Sequence, residues 1–116
     1  AATRRAYGEL AAPSSIEEVR FGDVAVDMQR LSVVRAGQTV NLTPIEFRLL
    51  RFLVSNPRIP FTRNALIENV WGYDGDIGDD RTVDVHMRHL REKIETSPAE
   101  PRYLVTVRGV GYKFDP

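Results

Sequence analysis

The segment 80–94 carries two different faces when it is placed on one helix, and this pattern limits what the chain can fold into. At about 100° per residue, one side is an apolar stripe, formed by Val83, Met87, Leu90 and Ile94. The other side carries Arg81, Val85, Arg88, His89 and Glu92. Such a helix suits a DNA major groove, because arginine binds phosphate or guanine and valine can contact a thymine methyl. The same pattern also fits a charged surface helix, so the flanking segments have to decide between the two.

The bulk composition fits a single domain with one core. The 116 residues are 42% apolar and 28% charged, as in ordinary globular proteins. The absence of cysteine excludes disulfides and thiolate metal sites and fits a reducing compartment. No apolar run approaches the roughly 18 residues of a membrane span, and residues 1–10 lack the apolar block of a signal peptide. We therefore expect a cytoplasmic protein that makes no membrane contact.

The charge is unevenly distributed along the chain, although its formal net value is zero. A neutral sum argues at first against nucleic acid. However, basic residues outnumber acidic ones in 81–93, and residues 102–113 contain bases and no acid. The segment 72–80 holds four aspartates and no base. A basic patch beside an acidic loop predicts two separate working surfaces.

The N-terminal half predicts a tail, a small sheet and a core helix. Residues 1–17 are small and polar and are expected to be a linker from an upstream domain, whereas 18–116 form the folded domain. Short β-branched runs in 19–42 predict an antiparallel meander of three or four strands. The sequence Thr43-Pro44-Ile45-Glu46 then forms a capping box that begins a helix, and Asn56-Pro57 ends it near Ser55.

The C-terminal half predicts two more helices and a hairpin. A short helix begins after Thr62 and ends near Gly72, and the segment 80–95 forms the third helix. Residues 103–114 alternate as strands do around a turn at Arg108–Gly111, which places an arginine at the hairpin tip. The order of strands, three helices and hairpin predicts an α+β fold without βαβ units. It is the winged helix-turn-helix arrangement, with an N-terminal antiparallel β-platform and a C-terminal β-hairpin wing.

Four motifs in this order resemble one family, the DNA-binding effector domains of OmpR/PhoB-type response regulators of bacterial two-component systems. The resemblance covers about residues 19 to 115. Its motifs are Leu42-Thr43-Pro44-Ile45-Glu46-Phe47-Arg48-Leu49-Leu50, Val70-Trp71-Gly72, the run from Asp80 to Arg91 and the run from Thr106 to Phe114.

The resemblance implies that helix 80–95 is the recognition helix. Val85 would contact a thymine methyl, Asp84 would accept from a cytosine amino group, and Arg108 would enter the adjacent minor groove. His89 stands where some relatives use a base-reading arginine, and this difference changes the expected base preference. Phosphate contacts would come from Trp71, Arg81, Thr82, His86, Arg88, Arg91, Thr106 and Tyr112.

Several of these residues have an equally simple structural interpretation. Val85 can be a singly exposed valine, and Trp71 can fill the core. Asp84 can pair with Arg81 or Arg88 on its own helix. Tyr112 can pair across the hairpin. His86 and His89 have a spacing that metal ligands use, but no third ligand is evident nearby, so we expect no metal and no cofactor.

The resemblance also implies partners. The DNA would carry direct-repeat half-sites, on which the domain associates head to tail, and a sensor histidine kinase would act on an upstream receiver domain. The loop 72–80 would contact RNA polymerase, although its composition also fits a solvated turn. The residues proposed for that contact are Tyr73, Asp74, Asp76, Asp79 and Asp80.

Other functions fit the sequence less well. We find no nucleophile elbow and no phosphate-binding loop, and Gly109-Val110-Gly111 is too short for dinucleotide binding, so we do not expect an enzyme. Winged helices also serve as protein-interaction modules that bind no nucleic acid, and this is the main alternative. Double-stranded RNA is less suitable, because its deep and narrow major groove excludes a helix.

Overall fold

The first part of the fold is an antiparallel meander of four strands, as predicted. The structure is a computed structural model that describes residues 18–71 and 80–116, without the side chains of residues 80 and 81. The strands are β1 (Glu18–Phe21), β2 (Val24–Asp27), β3 (Ser32–Arg35) and β4 (Gln38–Val40), and each pairs with the next. One face of this platform is buried through Phe21, Val24, Val26 and Val33. The predicted linker 1–17 lies outside the described residues.

Helix α1 (Pro44–Val54) begins at the predicted capping box. The Glu46 amide donates to the Thr43 hydroxyl at 3.2 Å, and the Thr43 amide donates to the Glu46 carboxylate at 3.1 Å. Both bonds satisfy amides that have no partner within the helix. The helix is central to the core, as predicted, because Leu49, Leu50 and Leu53 are fully buried.

The second and third helices also begin where the sequence predicts. Helix α2 (Arg63–Leu66) is capped by the Thr62 hydroxyl and continues as a π-helical turn from Ile67 to Trp71. Helix α3 spans Asp80–Ile94. Its predicted apolar stripe is confirmed, because all four of its members, Val83, Met87, Leu90 and Ile94, have no solvent exposure. The predicted end of the second helix at Gly72 lies outside the described residues.

The C-terminal hairpin pairs β6 (Leu104–Val107) with β7 (Gly111–Phe114), as predicted. The sheet has a third strand that the sequence did not predict. The two-residue strand β5 (Phe61–Thr62) pairs antiparallel with β7, which therefore lies between β5 and β6. A strand of two residues is too short to show an alternating pattern, so no sequence signal marks it.

The two sheets share one hydrophobic core. The Phe21 ring of the platform lies 4.8 Å from the Phe114 ring of the wing and 4.9 Å from the Tyr103 ring, measured between centroids. None of the helices in the described ranges could cross a membrane.

A buried carboxylate fixes the end of α3 to the wing. Glu95 is only 2% exposed, and its two oxygens accept the backbone amides of Arg102, Tyr103 and Leu104 at 2.8 to 3.0 Å. A charged acceptor strengthens each of these bonds. The sequence predicts Glu95 only as the last residue of the helix, because the amides that it binds lie seven to nine residues further on.

Gly111 is predicted to be the least replaceable glycine of the wing. A β-carbon at this position would overlap the carbonyl oxygen of Phe61, because β5 and β7 approach closely there. Gly111→Ala should therefore reduce the free energy of unfolding by about 2 kcal/mol or more, measured by urea denaturation. Gly109→Ala is the matched control, because its β-carbon meets no atom within 4 Å and its φ of +79° should cost only about 1 kcal/mol. Equal losses in the two variants would contradict this account.

Candidate nucleic-acid interface

The outward face of α3 offers four accessible side chains above the buried stripe, because Glu92 is exposed beside Val85, Arg88 and His89. Val85 is 44% exposed and Arg88 is exposed, and the His89 side chain is 45% exposed. Arg108 is exposed at the tip of the wing. The structure thus leaves three of the four predicted base-contacting residues open to a partner, namely Val85, His89 and Arg108. The fourth, Asp84, is engaged within the domain.

Asp84 joins α3 to two other elements. One of its carboxylate oxygens accepts from the Arg63 guanidinium at 2.7 Å and from the Tyr112 hydroxyl at 2.6 Å. The sequence predicts for Asp84 either a base contact or an ion pair with a residue of its own helix. The partners that the structure shows lie instead on α2 and β7. Asp84 therefore holds the wing and the second helix against α3.

The pKa values at this junction follow from its hydrogen bonds. Burial alone would raise the pKa of Asp84, but the bonds from Tyr112 and Arg63, together with the Arg63 charge, outweigh burial and lower it. Burial raises the pKa of Tyr112, and so does its bond to the Asp84 carboxylate. At neutral pH the carboxylate is therefore charged and the phenol keeps the proton that it donates.

Tyr112 is only 5% exposed, and two guanidinium groups lie over its ring. Arg63 is 5.5 Å and Arg91 5.2 Å from the centroid of its ring, within the range of cation–π contacts. The phosphate contact from Tyr112 stays a prediction, and in the structure its hydroxyl proton is donated to Asp84. Its predicted pairing across the hairpin is confirmed, since it lies opposite Thr106.

The side chain of Arg91 binds residues of the wing and is not directed mainly at the open surface. Its Nε donates to the carbonyl oxygen of Leu104 at 2.9 Å, and its Nη2 donates to the Thr106 hydroxyl at 2.7 Å. Burial lowers the pKa of Arg91, yet a guanidinium remains charged in proteins. Thr106 is exposed and only accepts in this bond, so its own hydroxyl proton remains available to a phosphate.

Trp71 and His86 contact each other beside the core. Their ring centroids are 5.6 Å apart, and both residues are partly buried. The Nδ1 atom of His86 is buried and has no hydrogen-bond partner among residues 18–71 and 80–116. Trp71 packs against the hydrophobic core, as the structural interpretation of this residue expected. Thr82 is partly buried, while the side chain of Arg81 and the predicted polymerase-contacting residues Tyr73, Asp74, Asp76, Asp79 and Asp80 lie outside the described part of the structure.

Glu46 and Arg63 belong to this region and were missed by the sequence analysis. The Glu46 carboxylate is only 3% exposed, and it accepts from the Lys93 ammonium at 2.6 Å. Its second oxygen lies 3.9 Å from Nδ1 of His89. In the sequence, the capping box already accounts for Glu46, and Arg63 is an ordinary residue of a first helical turn. Neither residue therefore carries a sequence signal of the tertiary contacts that it makes.

The pKa of Glu46 reflects a balance that favours its charged form. Burial would raise the pKa, but hydrogen bonds from Lys93 and from the Thr43 amide, with the charges of Lys93 and His89, lower it overall.

Within the described ranges, no group of three or more potential metal-ligating side chains occurs.

Known proteins resemble this chain in sequence and in fold. The family described as "Transcriptional regulatory protein, C terminal" matches residues 37–114. The chain belongs to the OmpR/PhoB family of transcriptional regulators, as a C-terminal effector domain. The effector domain is 47% identical over 100 residues to the DNA-binding response regulator MtrA of Mycolicibacterium smegmatis, covering 86% of this chain and 43% of MtrA.

Two solved structures resemble the effector domain. The OmpR/PhoB homologue DrrB of Thermotoga maritima superposes with a TM-score of 0.79 at 35% identity, covering 86% of this chain and 45% of DrrB. The RstA DNA-binding domain of Klebsiella pneumoniae, solved in complex with the RstA box, gives a TM-score of 0.74 at 33% identity, covering 85% and 97%. The chain spans less than half the length of the curated relatives that it matches.

The effector domain should lose stability in acid partly through Glu46. Its pKa is lowered by folding, so the stability that it contributes is present above the usual glutamate pKa of about 4.3 and is lost as the pH falls through the folded value. Glu46→Gln should therefore show a smaller decrease in unfolding free energy between pH 6 and pH 3 than the unchanged domain. Urea titrations at each pH measure this, with Glu92→Gln, an exposed glutamate of α3, as the control. Parallel pH profiles for the unchanged domain and Glu46→Gln would exclude this role.

Proposed function

We propose that this effector domain binds double-stranded DNA in a sequence-specific manner and acts as the transcription-regulating output domain of a two-component response regulator. The observation that carries the proposal is the outward face of α3, on which Val85 and Arg88 are exposed and the His89 side chain is 45% exposed, above a fully buried stripe. A helix supported in this way can enter the major groove with its side chains directed at base edges.

The described side chains divide into groups that contact DNA and groups that hold the contacting surface in place. Val85 and His89 are proposed to read bases, and Arg108 to enter an adjacent A·T-rich minor groove. Arg88 and Thr106 are proposed phosphate ligands, together with the predicted contacts of Trp71, Arg81, Thr82 and His86. Asp84, Arg91 and Tyr112 position the wing against α3.

The remaining parts of the proposal concern the whole protein. MtrA and the other curated relatives are more than twice as long as the part that this chain matches. We propose that residues 1–17 connect the effector domain to a receiver domain that a sensor histidine kinase phosphorylates in the cytoplasm. Phosphorylation would favour head-to-tail association on direct repeats, because pairing raises the effective concentration of the second domain. The acidic loop 72–80 would contact a basic surface of RNA polymerase.

A protein-interaction module without DNA binding is the competing function, and the relatives argue against it. MtrA is named a DNA-binding response regulator, and the similar RstA domain was solved in complex with the RstA box. The decisive experiment is selection from a randomised DNA pool, followed by fluorescence anisotropy of the selected duplex in a salt series. Enrichment of a repeat with a period of about 10 to 11 base pairs and a steep loss of affinity with salt would support the proposal. No enrichment and no salt-sensitive binding would refute it.

Val85→Ala and Arg108→Ala should affect DNA binding in different ways. Loss of the two valine methyl groups should relax preference at one major-groove position, at a cost of about 1 kcal/mol or less. Loss of the wing arginine should weaken binding mainly where the minor groove is A·T-rich, and should also reduce the salt dependence of the binding constant. Anisotropy with matched duplexes measures both effects. If each variant loses the same affinity on specific and random DNA, the assignment of readout roles is wrong.

A further inference from the structure

The buried carboxylate of Glu46 lies against the exposed imidazole of His89. Oε1 of Glu46 accepts both of its hydrogen bonds, from the Thr43 amide and from the Lys93 ammonium. The other oxygen, Oε2, faces Nδ1 of His89 at 3.9 Å. This separation is longer than a hydrogen bond, so the carboxylate acts on the ring through its charge.

The charges around His89 favour a proton on the nitrogen nearer to Glu46. Glu46 approaches from α1, and Lys93 lies one helical turn further along α3 with its ammonium bound to Oε1. Arg35 of β3 donates to the backbone carbonyl of Lys93 at 3.5 Å and pairs with the Asp23 carboxylate at 3.7 Å. Arg88 lies next to His89 on the outward face. A neutral imidazole carries one proton, and the negative charge opposite Nδ1 stabilises the form in which Nδ1 holds it.

The other ring nitrogen is then an acceptor that is open to the outside. Nε2 lies on the opposite edge of the ring from Nδ1, and none of the hydrogen bonds among the described residues reaches it. The side chain is 45% exposed on the face that the proposed function directs into the major groove. There, adenine N6 and cytosine N4 donate, whereas guanine offers only the acceptors N7 and O6.

We propose that Glu46 is a positioning residue that sets the tautomer of His89, so that His89 selects a base that offers an amino group, adenine or cytosine, over guanine. This inference rests on the proposed function of DNA binding. An arginine at the same position could only donate and would favour guanine. A residue of the core helix α1 thereby determines which base the recognition helix accepts.

The tautomer can be measured directly in the free domain. Long-range proton–nitrogen NMR at pH 8 should show the proton of His89 on Nδ1. In Glu46→Gln, the amide oxygen can keep the bonds to Lys93 and Thr43 while its NH₂ group faces Nδ1, so the proton should move to Nε2. His89→Gln assigns the signals, and His86 is the internal reference that should not change. A proton on Nε2 in the unchanged domain would overturn the inference.

The base preference supplies a second, independent test. In the selected duplex, the base pair read by His89 is the one whose preference disappears in His89→Ala. At that base pair the unchanged domain should bind adenine or cytosine about threefold to tenfold more tightly than guanine, as expected for one hydrogen bond. Glu46→Gln should reverse this preference, whereas Lys93→Gln, which leaves Glu46 and His89 in place, should retain it. A uniform loss of affinity for all four bases in Glu46→Gln would show that Glu46 serves stability alone.

The two tests separate failure of the inference from failure of the proposed function. If no duplex is enriched, DNA binding itself fails and base selection by His89 fails with it, while NMR still reports the tautomer. If a duplex is enriched but every base preference survives in His89→Ala, the domain binds DNA and only the role of His89 is wrong.

Discussion

The wing is attached to α3 by two carboxylates, and the shape of the exposed surface depends on them. Asp84 binds Arg63 and Tyr112 near the start of the helix, and Glu95 binds three backbone amides beyond its end. Each hydrogen bond to the buried Glu95 carboxylate contributes about 1.5 to 3 kcal/mol, whereas solvent screening weakens the bonds of Asp84, whose side chain is 42% exposed. The two-residue pairing of β5 with β7 could not by itself hold the wing and α3 in one orientation, whereas these bonds act towards both ends of the helix.

The buried apolar stripe of α3 fixes the orientation of the helix to which the wing is attached. Because Val83, Met87, Leu90 and Ile94 are fully buried, the rotation of the helix about its axis is determined by the core and not by its surface charges. Val85, Arg88 and His89 are consequently presented outward, and no side-chain hydrogen bond to another described residue holds any of them in place. Hydrophobic burial orients the helix, and charge-assisted hydrogen bonds orient the wing relative to it.

The basic residues of α3 thus have different roles although their side chains are chemically similar. Arg88 is exposed, whereas Arg91 is bound to Leu104 and Thr106 of β6. Lys93 is bound to Glu46 of α1. This division also explains how a chain of zero net charge can present a basic face. Several of its acidic groups are directed inward against partners within the domain, which leaves arginines such as Arg88 and Arg108 on the outside.

Much of the fold was predictable because it depends on local chemistry. The capping box at Thr43, the stripe of α3 and the alternation around Arg108 are short-range patterns, and the structure confirms the helices and strands that they predict. The strand β5 was not predictable, since two residues carry no periodicity. The helical period alone predicted that Val85 and His89 face outward. The same period could not show which of the neighbouring polar side chains bind partners on other elements.

The sequence by itself determined the order of the elements, the buried face of each helix and the family to which the domain belongs, because these depend on spacing along the chain. Only the tertiary structure decided that Asp84 pairs with Arg63 and Tyr112, that Arg91 binds the wing, and that Glu46 lies against His89. These partners are separated by 13 to 43 residues in the chain. Contacts over such distances arise from packing of whole elements against one core, and no local pattern of residues encodes them.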